Sequence, residues 1–94
     1  MTAQRYTGDF TPGPGGVMTD EVGVVTGELT LATEVTEDGQ ATLRVQYLDA
    51  DEWYTVTGGR YRLADRARGK ELHDAALALL AQGGADASKL IPPG

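Results

Sequence analysis

Between Gly27 and Leu48 the chain reads GELTLATEVTEDGQATLRVQYL, two runs in which apolar and polar side chains alternate around an acidic-glycine step. Alternation with period two places successive side chains on opposite faces of a strand, so Leu29, Leu31 and Val35 share one face and Leu43, Val45 and Tyr47 another. The turn must bring these two sets to the same side. A two-residue Asp38-Gly39 turn would set Val35 opposite Thr42 and put the apolar sets on opposite faces, which register does not tolerate. A three-residue loop, Glu37 and Asp38 in a type I turn followed by a left-handed Gly39, sets Val35 opposite Ala41, Leu31 opposite Val45 and Leu29 opposite Tyr47. The apolar faces then agree, and two half-buried antiparallel strands are predicted.

The same test extends the sheet. With Asp49 to Glu52 as a loop, Tyr47 meets Tyr54, Val45 meets Val56 and Leu48 meets Trp53. Gly58-Gly59 as a primed two-residue turn would then pair Val56 with Tyr61 and Tyr54 with Leu63, since glycines adopt the positive φ that such turns require. The run EVGVVTG, residues 21–27, supplies a further strand, with Gly23 or Gly27 marking a bulge or bend.

After Leu63 the period changes. Leu72, Ala75, Ala76, Leu79 and Leu80 fall on one side of a helix, widened by Leu77, that runs from about Asp65 or Lys70 to Gln82. Asp65 serves as N-cap with Gly69 inside, or Gly69 precedes the helix, and Gly83 or Gly84 supplies the stop. The fold class is α+β, an antiparallel meander of four or five strands packed on one C-terminal helix. Residues 1–20 form a flexible Pro/Gly-rich arm, since TPGPGG (Thr11 to Gly16) precludes a helix or a central strand. Tyr6 and Phe10 are its anchors. Residues 21–84 are the domain, and 85–94 a tail whose Leu90 and Ile91 cap the core. One helix covers part of such a sheet, and its wide, alanine-rich face is suited to a partner helix, so self-association is expected.

Composition bounds the function. A chain of 94 residues without cysteine has one core, no disulfides and no thiolate chemistry. No stretch approaches the roughly 20 apolar residues that span a bilayer, and no basic leader precedes an apolar run. A soluble, cytoplasmic protein is expected, with no membrane partner. The net charge is −6, but residues 1–59 carry −8 and residues 60–94 carry +2. Arg60, Arg62, Arg66, Arg68 and Lys70 cluster within this second part. A field that is acidic overall repels a polyanion, so general nucleic-acid coating is excluded while local anion contact is not.

Catalytic sets are wanting. The lone serine, Ser88, lies in the tail and the lone histidine, His73, precedes Asp74 on a helix where neighbours diverge by about 100°. His73 reads as a residue at the border of the buried face. Asp49, Asp51 and Glu52 lack the spacing and central glycine of a calcium loop, as does Glu37-Asp38, so no metal is expected. Gly58-Gly59 lies between strands and outside any phosphate-loop pattern, so no nucleotide cofactor is expected.

One constellation stands out. Alternation places Arg44, Thr55, Thr57, Arg60 and Arg62 on the face away from the helix, with Trp53 at its edge. Guanidinium forks grip phosphate or carboxylate and an indole offers a stacking surface. The sequence therefore reads as a small non-enzymatic module that binds a protein partner or itself. The alternative is single-stranded nucleic acid, with bases on Trp53 and phosphates on Arg44, Arg60, Arg62, Arg66 and Arg68. What covers Trp53 discriminates, and the N-terminal arm is one candidate cover.

Overall fold

A computed structural model describes residues 3–87 and Leu90. Six strands form one antiparallel sheet: β1 (Gln4–Phe10), β2 (Val17–Thr19), β3 (Gly23–Val25), β4 (Leu29–Val35), β5 (Gln40–Tyr47) and β6 (Tyr54–Arg62). A 3-10 turn (Arg66–Arg68) leads into the single helix α1 (Gly69–Ala81). The class is α+β as expected, but the sheet is larger than the expected four or five strands and only β4, β5 and β6 form a meander. The spatial order is β1-β4-β5-β6-β2-β3.

The β4–β5 hairpin has the anticipated register, with Leu29, Leu31 and Val35 opposite Tyr47, Val45 and Ala41. Its loop is the expected one. The Gly39 N–H donates to the Thr36 carbonyl at 3.0 Å, and Gly39 takes φ +90°. At the next connection the register differs by two residues: Val45 lies opposite Tyr54 and Arg44 opposite Thr55, not Val45 opposite Val56. An even slip preserves the faces. The apolar pattern alone therefore could not tell the two registers apart.

Gly58-Gly59 is not a turn. β6 runs through both glycines, and between the Arg44–Thr55 and Thr42–Arg60 pairs β5 has only Leu43 while β6 has Val56 to Gly59. The surplus forms a bulge, with Gly58 at φ +75° supplying the left-handed step. Gly59 is buried, and a Cβ there would lie 2.8 Å from the Val56 carbonyl oxygen and 3.0 Å from the Leu43 Cβ.

The N-terminal arm is likewise not free. Gln4–Phe10 pairs along its whole length with β4, and Val17 and Thr19 of β2 are buried. The reason is packing: Tyr6, Gly8 and Phe10 alternate toward the helix, and a Cβ on Gly8 would sit 2.9 Å from Leu77 Cδ1. TPGPGG remains a connection, as its prolines and glycines require.

The sheet is rolled. Val25 and Leu29 are four Cα steps apart, about 14 Å at most. In a flat sheet the strand order would separate β3 from β4 by four strand spacings, about 19 Å. Val17 and Val25 accordingly join Leu29, Leu31, Leu43, Val45 and Val56 in one core with Ala76 and Leu80 of α1. Each fully buried leucine or valine there is worth about 1.5–3 kcal/mol. Toward the start of α1, Leu72 packs with Val35, Ala41 and Leu63.

β2 and β6 share only the Thr19–Val56 pair, and beyond it the segment after the helix enters the gap. The Met18 N–H donates to the Ala85 carbonyl at 2.6 Å and the Ala87 N–H to the Thr57 carbonyl at 3.1 Å. Ala87 is buried and Leu90 packs on the core, whereas Ser88 and Ile91 lie outside the described residues. The helix ends in a Schellman arrangement, Gly84 N–H to Leu79 carbonyl at 2.9 Å and Gly83 N–H to Leu80 carbonyl at 3.4 Å, with Gly83 at φ +105°. No helix among the described residues is long and apolar enough to cross a membrane.

Candidate functional site

The face turned away from α1 carries alternate residues of each strand. Arg44 lies opposite Thr55, Arg60 opposite Thr42 and Arg62 opposite Gln40, so the expected arginines do share this face. For Arg60 and Arg62 the cause is the bulge, whose odd surplus of residues restores the parity that a turn would otherwise have supplied.

Trp53 is half-buried, and its cover comes from β1. The Arg5 guanidinium carbon lies 4.7 Å from the centre of the Trp53 ring. Arg5 reaches this position because β1 pairs with β4, which sets Arg5 opposite Glu34. Glu34 takes an ion pair from Arg5 at 3.6 Å and another from Arg44 at 3.0 Å. Ala32, flanked by Thr7 and Arg44 on the same face, is fully buried beneath the longer side chains around it. Thus β1 closes the stacking surface and Glu34 neutralises two of the arginines around it.

The threonines are occupied too. The Thr55 N–H donates to Glu21 Oε1 at 2.7 Å and its hydroxyl to Oε2 at 2.8 Å, while the Thr57 hydroxyl donates to Asp20 at 2.9 Å. Desolvation alone would raise the Glu21 pKa, but the two Thr55 hydrogen bonds and the nearby Arg44 charge outweigh it, and the carboxyl is held below its ordinary value. Arg62 pairs with Asp38 at 3.5 Å. Asp38 is lowered first by the hydroxyl of Thr36 and then by Arg62. Arg60 is exposed and has no hydrogen-bond or ion-pair partner among the described residues.

His73 lies between α1 and the sheet, only 5 % exposed. Its Nδ1 is 2.9 Å from the Thr33 hydroxyl and its ring also bonds the Thr7 backbone carbonyl. A ring that donates from Nε2 to that carbonyl leaves Nδ1 to accept from Thr33, so the neutral tautomer satisfies both partners. Burial pushes the imidazole pKa down and Lys70 adds to this; Asp74 and the Thr7 bond oppose them without prevailing. The Tyr6 ring lies 6.0 Å away.

The acidic loop, residues 49–52, does not gather into a metal cage. Among the described residues no three histidine, aspartate or glutamate side chains are grouped to hold an ion. A depression of about 260 Å³ lies at the same end of the molecule, lined by Asp9, Phe10, Thr11, Glu28 and Leu48.

The sequence reading missed Arg5, Asp20, Glu21 and Glu34 as members of this face. A signal for Arg5 exists in QRYTGDF, where Tyr6, Gly8 and Phe10 alternate with Arg5, Thr7 and Asp9, but the adjacent glycines and prolines obscure it. Nothing local marks Asp20 and Glu21 as partners of a strand more than 30 positions away. What fold and site define together is an α+β domain with a rolled six-stranded antiparallel sheet and one covering helix. Comparison with known proteins finds no match: no family model fits the chain, and neither a curated protein nor a solved structure matches it.

Proposed function

We propose that this chain is a small non-enzymatic binding module that engages a protein partner through surface its own packing leaves uncovered. The observation that carries the reading is the placement of large apolar side chains in water. Val22 and Val24 of the β2–β3 hairpin are 54 % and 50 % exposed, and Met18, Tyr47 and Leu48 are exposed with them. Such groups mark interaction surfaces when they cluster, as Met18 and Val24 do across one strand pair. The interior polar groups give the reading further support. His73 and the Thr33 hydroxyl it meets are both buried, 5 % and 0 % exposed, which keeps that pair away from a substrate.

The second reading, single-stranded nucleic acid, is favoured by Arg60, which is exposed and unpaired among the described residues. Against it, a base stacking on Trp53 must displace Arg5, and phosphates must compete with Glu34 and Asp38 for Arg44 and Arg62. Two experiments on the full chain separate the readings. A random peptide library selected on the immobilised protein should yield binders that reproduce as synthetic peptides. An oligothymidylate titration at low salt should show no binding. Salt-sensitive oligonucleotide binding that is lost in Arg60→Ala or Trp53→Ala, together with a library that yields no reproducible binder, overturns the proposal.

A further inference from the structure

We propose that one end of the sheet docks a cationic segment of a partner protein, with the depression between Phe10 and Leu48 holding a lysine or arginine side chain. This deepens the binding-module reading and rests on it. Register defines the end: Phe10 lies opposite Leu29 and Leu29 opposite Tyr47, so here β1 and β5 finish and β4 begins. Tyr54 starts β6 beside Val45 on the same side. The residues that build the end, 9–11, 20–22, 28 and 47–54, include seven carboxylates and no lysine or arginine.

The depression combines two kinds of wall. Phe10 and Leu48 are apolar, and Asp9 and Glu28 are acidic. A lysine or arginine has the same division, an aliphatic stem that packs on apolar surface and a charged head that seeks carboxylates. The volume of about 260 Å³ falls below the roughly 300–1,000 Å³ of small-molecule sites, so it suits one side chain better than a free ligand. Leu48 in its wall is 39 % exposed, and the preceding Tyr47 is 41 % exposed, so the two offer contact to an apolar neighbour in the partner segment.

Charge selects the occupant. The side chains of Glu28, Asp49 and Asp51 have no hydrogen-bond or ion-pair partner among the described residues. Since no three acidic groups converge there on a point, the negative charge is spread along the loops and fits an extended cation. A second copy of this chain is a poorer fit. Among the described side chains, its Arg5, Arg44, Arg62, Arg68 and Lys70 already hold ion pairs with its own carboxylates, and Arg60 alone is left to offer.

The test uses the full chain and a fluorescein-labelled, amidated hexapeptide of alternating arginine and leucine, with a glutamate-leucine hexapeptide as control. Anisotropy should show the arginine peptide binding, and Glu28→Lys or Leu48→Ser should each weaken it about tenfold or more, with circular dichroism unchanged. Raising salt from about 0.05 to 0.5 M should weaken it as well. Absence of binding, equal binding of the glutamate peptide, or indifference to both substitutions overturns the proposal. So does sedimentation showing that the chain associates with itself through a contact that Glu28→Lys abolishes. If library selection yields peptides that are not cationic, this surface assignment fails while the binding-module reading stands. If it yields none and oligothymidylate binds, that reading itself fails.

Discussion

Replacing Gly59 by alanine tests the bulge directly. In a hairpin turn Gly59 would stand in solvent, and alanine there would carry only the strain of a left-handed backbone. In the bulge it faces the core, where the new Cβ meets the Val56 carbonyl oxygen at 2.8 Å, the Leu43 Cβ at 3.0 Å and the Val56 Cβ at 3.3 Å. None of these atoms is the free end of a flexible side chain, so the backbone of β6 must move. Overpacking of this kind costs about 1–3 kcal/mol. Taking about 2 kcal/mol, the melting temperature of a domain this size falls by about 8–16 °C. Gly58→Ala, at φ +75°, should cost about 1–2 kcal/mol through left-handed strain alone. The assay is urea unfolding followed by far-UV circular dichroism, with the midpoint moving and the m-value constant. A Gly59→Ala variant within about 0.5 kcal/mol of the parent would refute the packing argument, and with it the course of β6.

Three other outcomes follow from the same contacts. Gly8→Val should cost about 1–3 kcal/mol by crowding Leu77 and His73, and should speed amide exchange along β1; an unattached arm would tolerate it unchanged. The His73 pKa is depressed by burial, so the unfolded chain takes up the proton first: stability present above about pH 6.5 declines as pH falls through the folded value, by up to about 1.4 kcal/mol per pH unit between the two. His73 is the only histidine, so urea unfolding of parent and His73→Gln between pH 5 and 7 should show that slope in the parent and lose it in the variant. Arg5→Ala should raise acrylamide quenching of Trp53, the only tryptophan, at a cost of about 0.5–1 kcal/mol; unchanged quenching would mean that Arg5 is not its cover.

These perturbations fall where chain-local reasoning and structure part. The β4–β5 hairpin was legible because its apolar alternation and its glycine loop constrain each other: alternation demands an odd loop to put Leu31 and Val45 on the same face, and the left-handed Gly39 selects the three-residue one. The helix was legible for a similar reason, since Leu72, Ala76 and Leu80 repeat at helical spacing and Gly83 stops them. Alternation also assigned Trp53 and Arg44 to one face, because parity survives an even slip in register, whereas Arg60 and Arg62 join that face only because the odd surplus of the bulge replaces the expected turn.

Tertiary structure decided what parity leaves open. Slips by two residues keep every face intact, so choosing Tyr54 over Val56 as the partner of Val45 required the actual packing. Gly58-Gly59 satisfies a turn and a bulge equally well in local terms. Burial of Gly59 against Leu43 separates them. Strands β1, β2 and β3 found their places only through distant partners, because a three-residue strand such as β3 gains little until Val25 is buried beside Leu29 in a rolled sheet. The fate of Trp53 follows from that last point. Period-two chemistry determined which face it occupies; the long-range pairing of β1 with β4, which no local pattern encodes, set Arg5 over its ring.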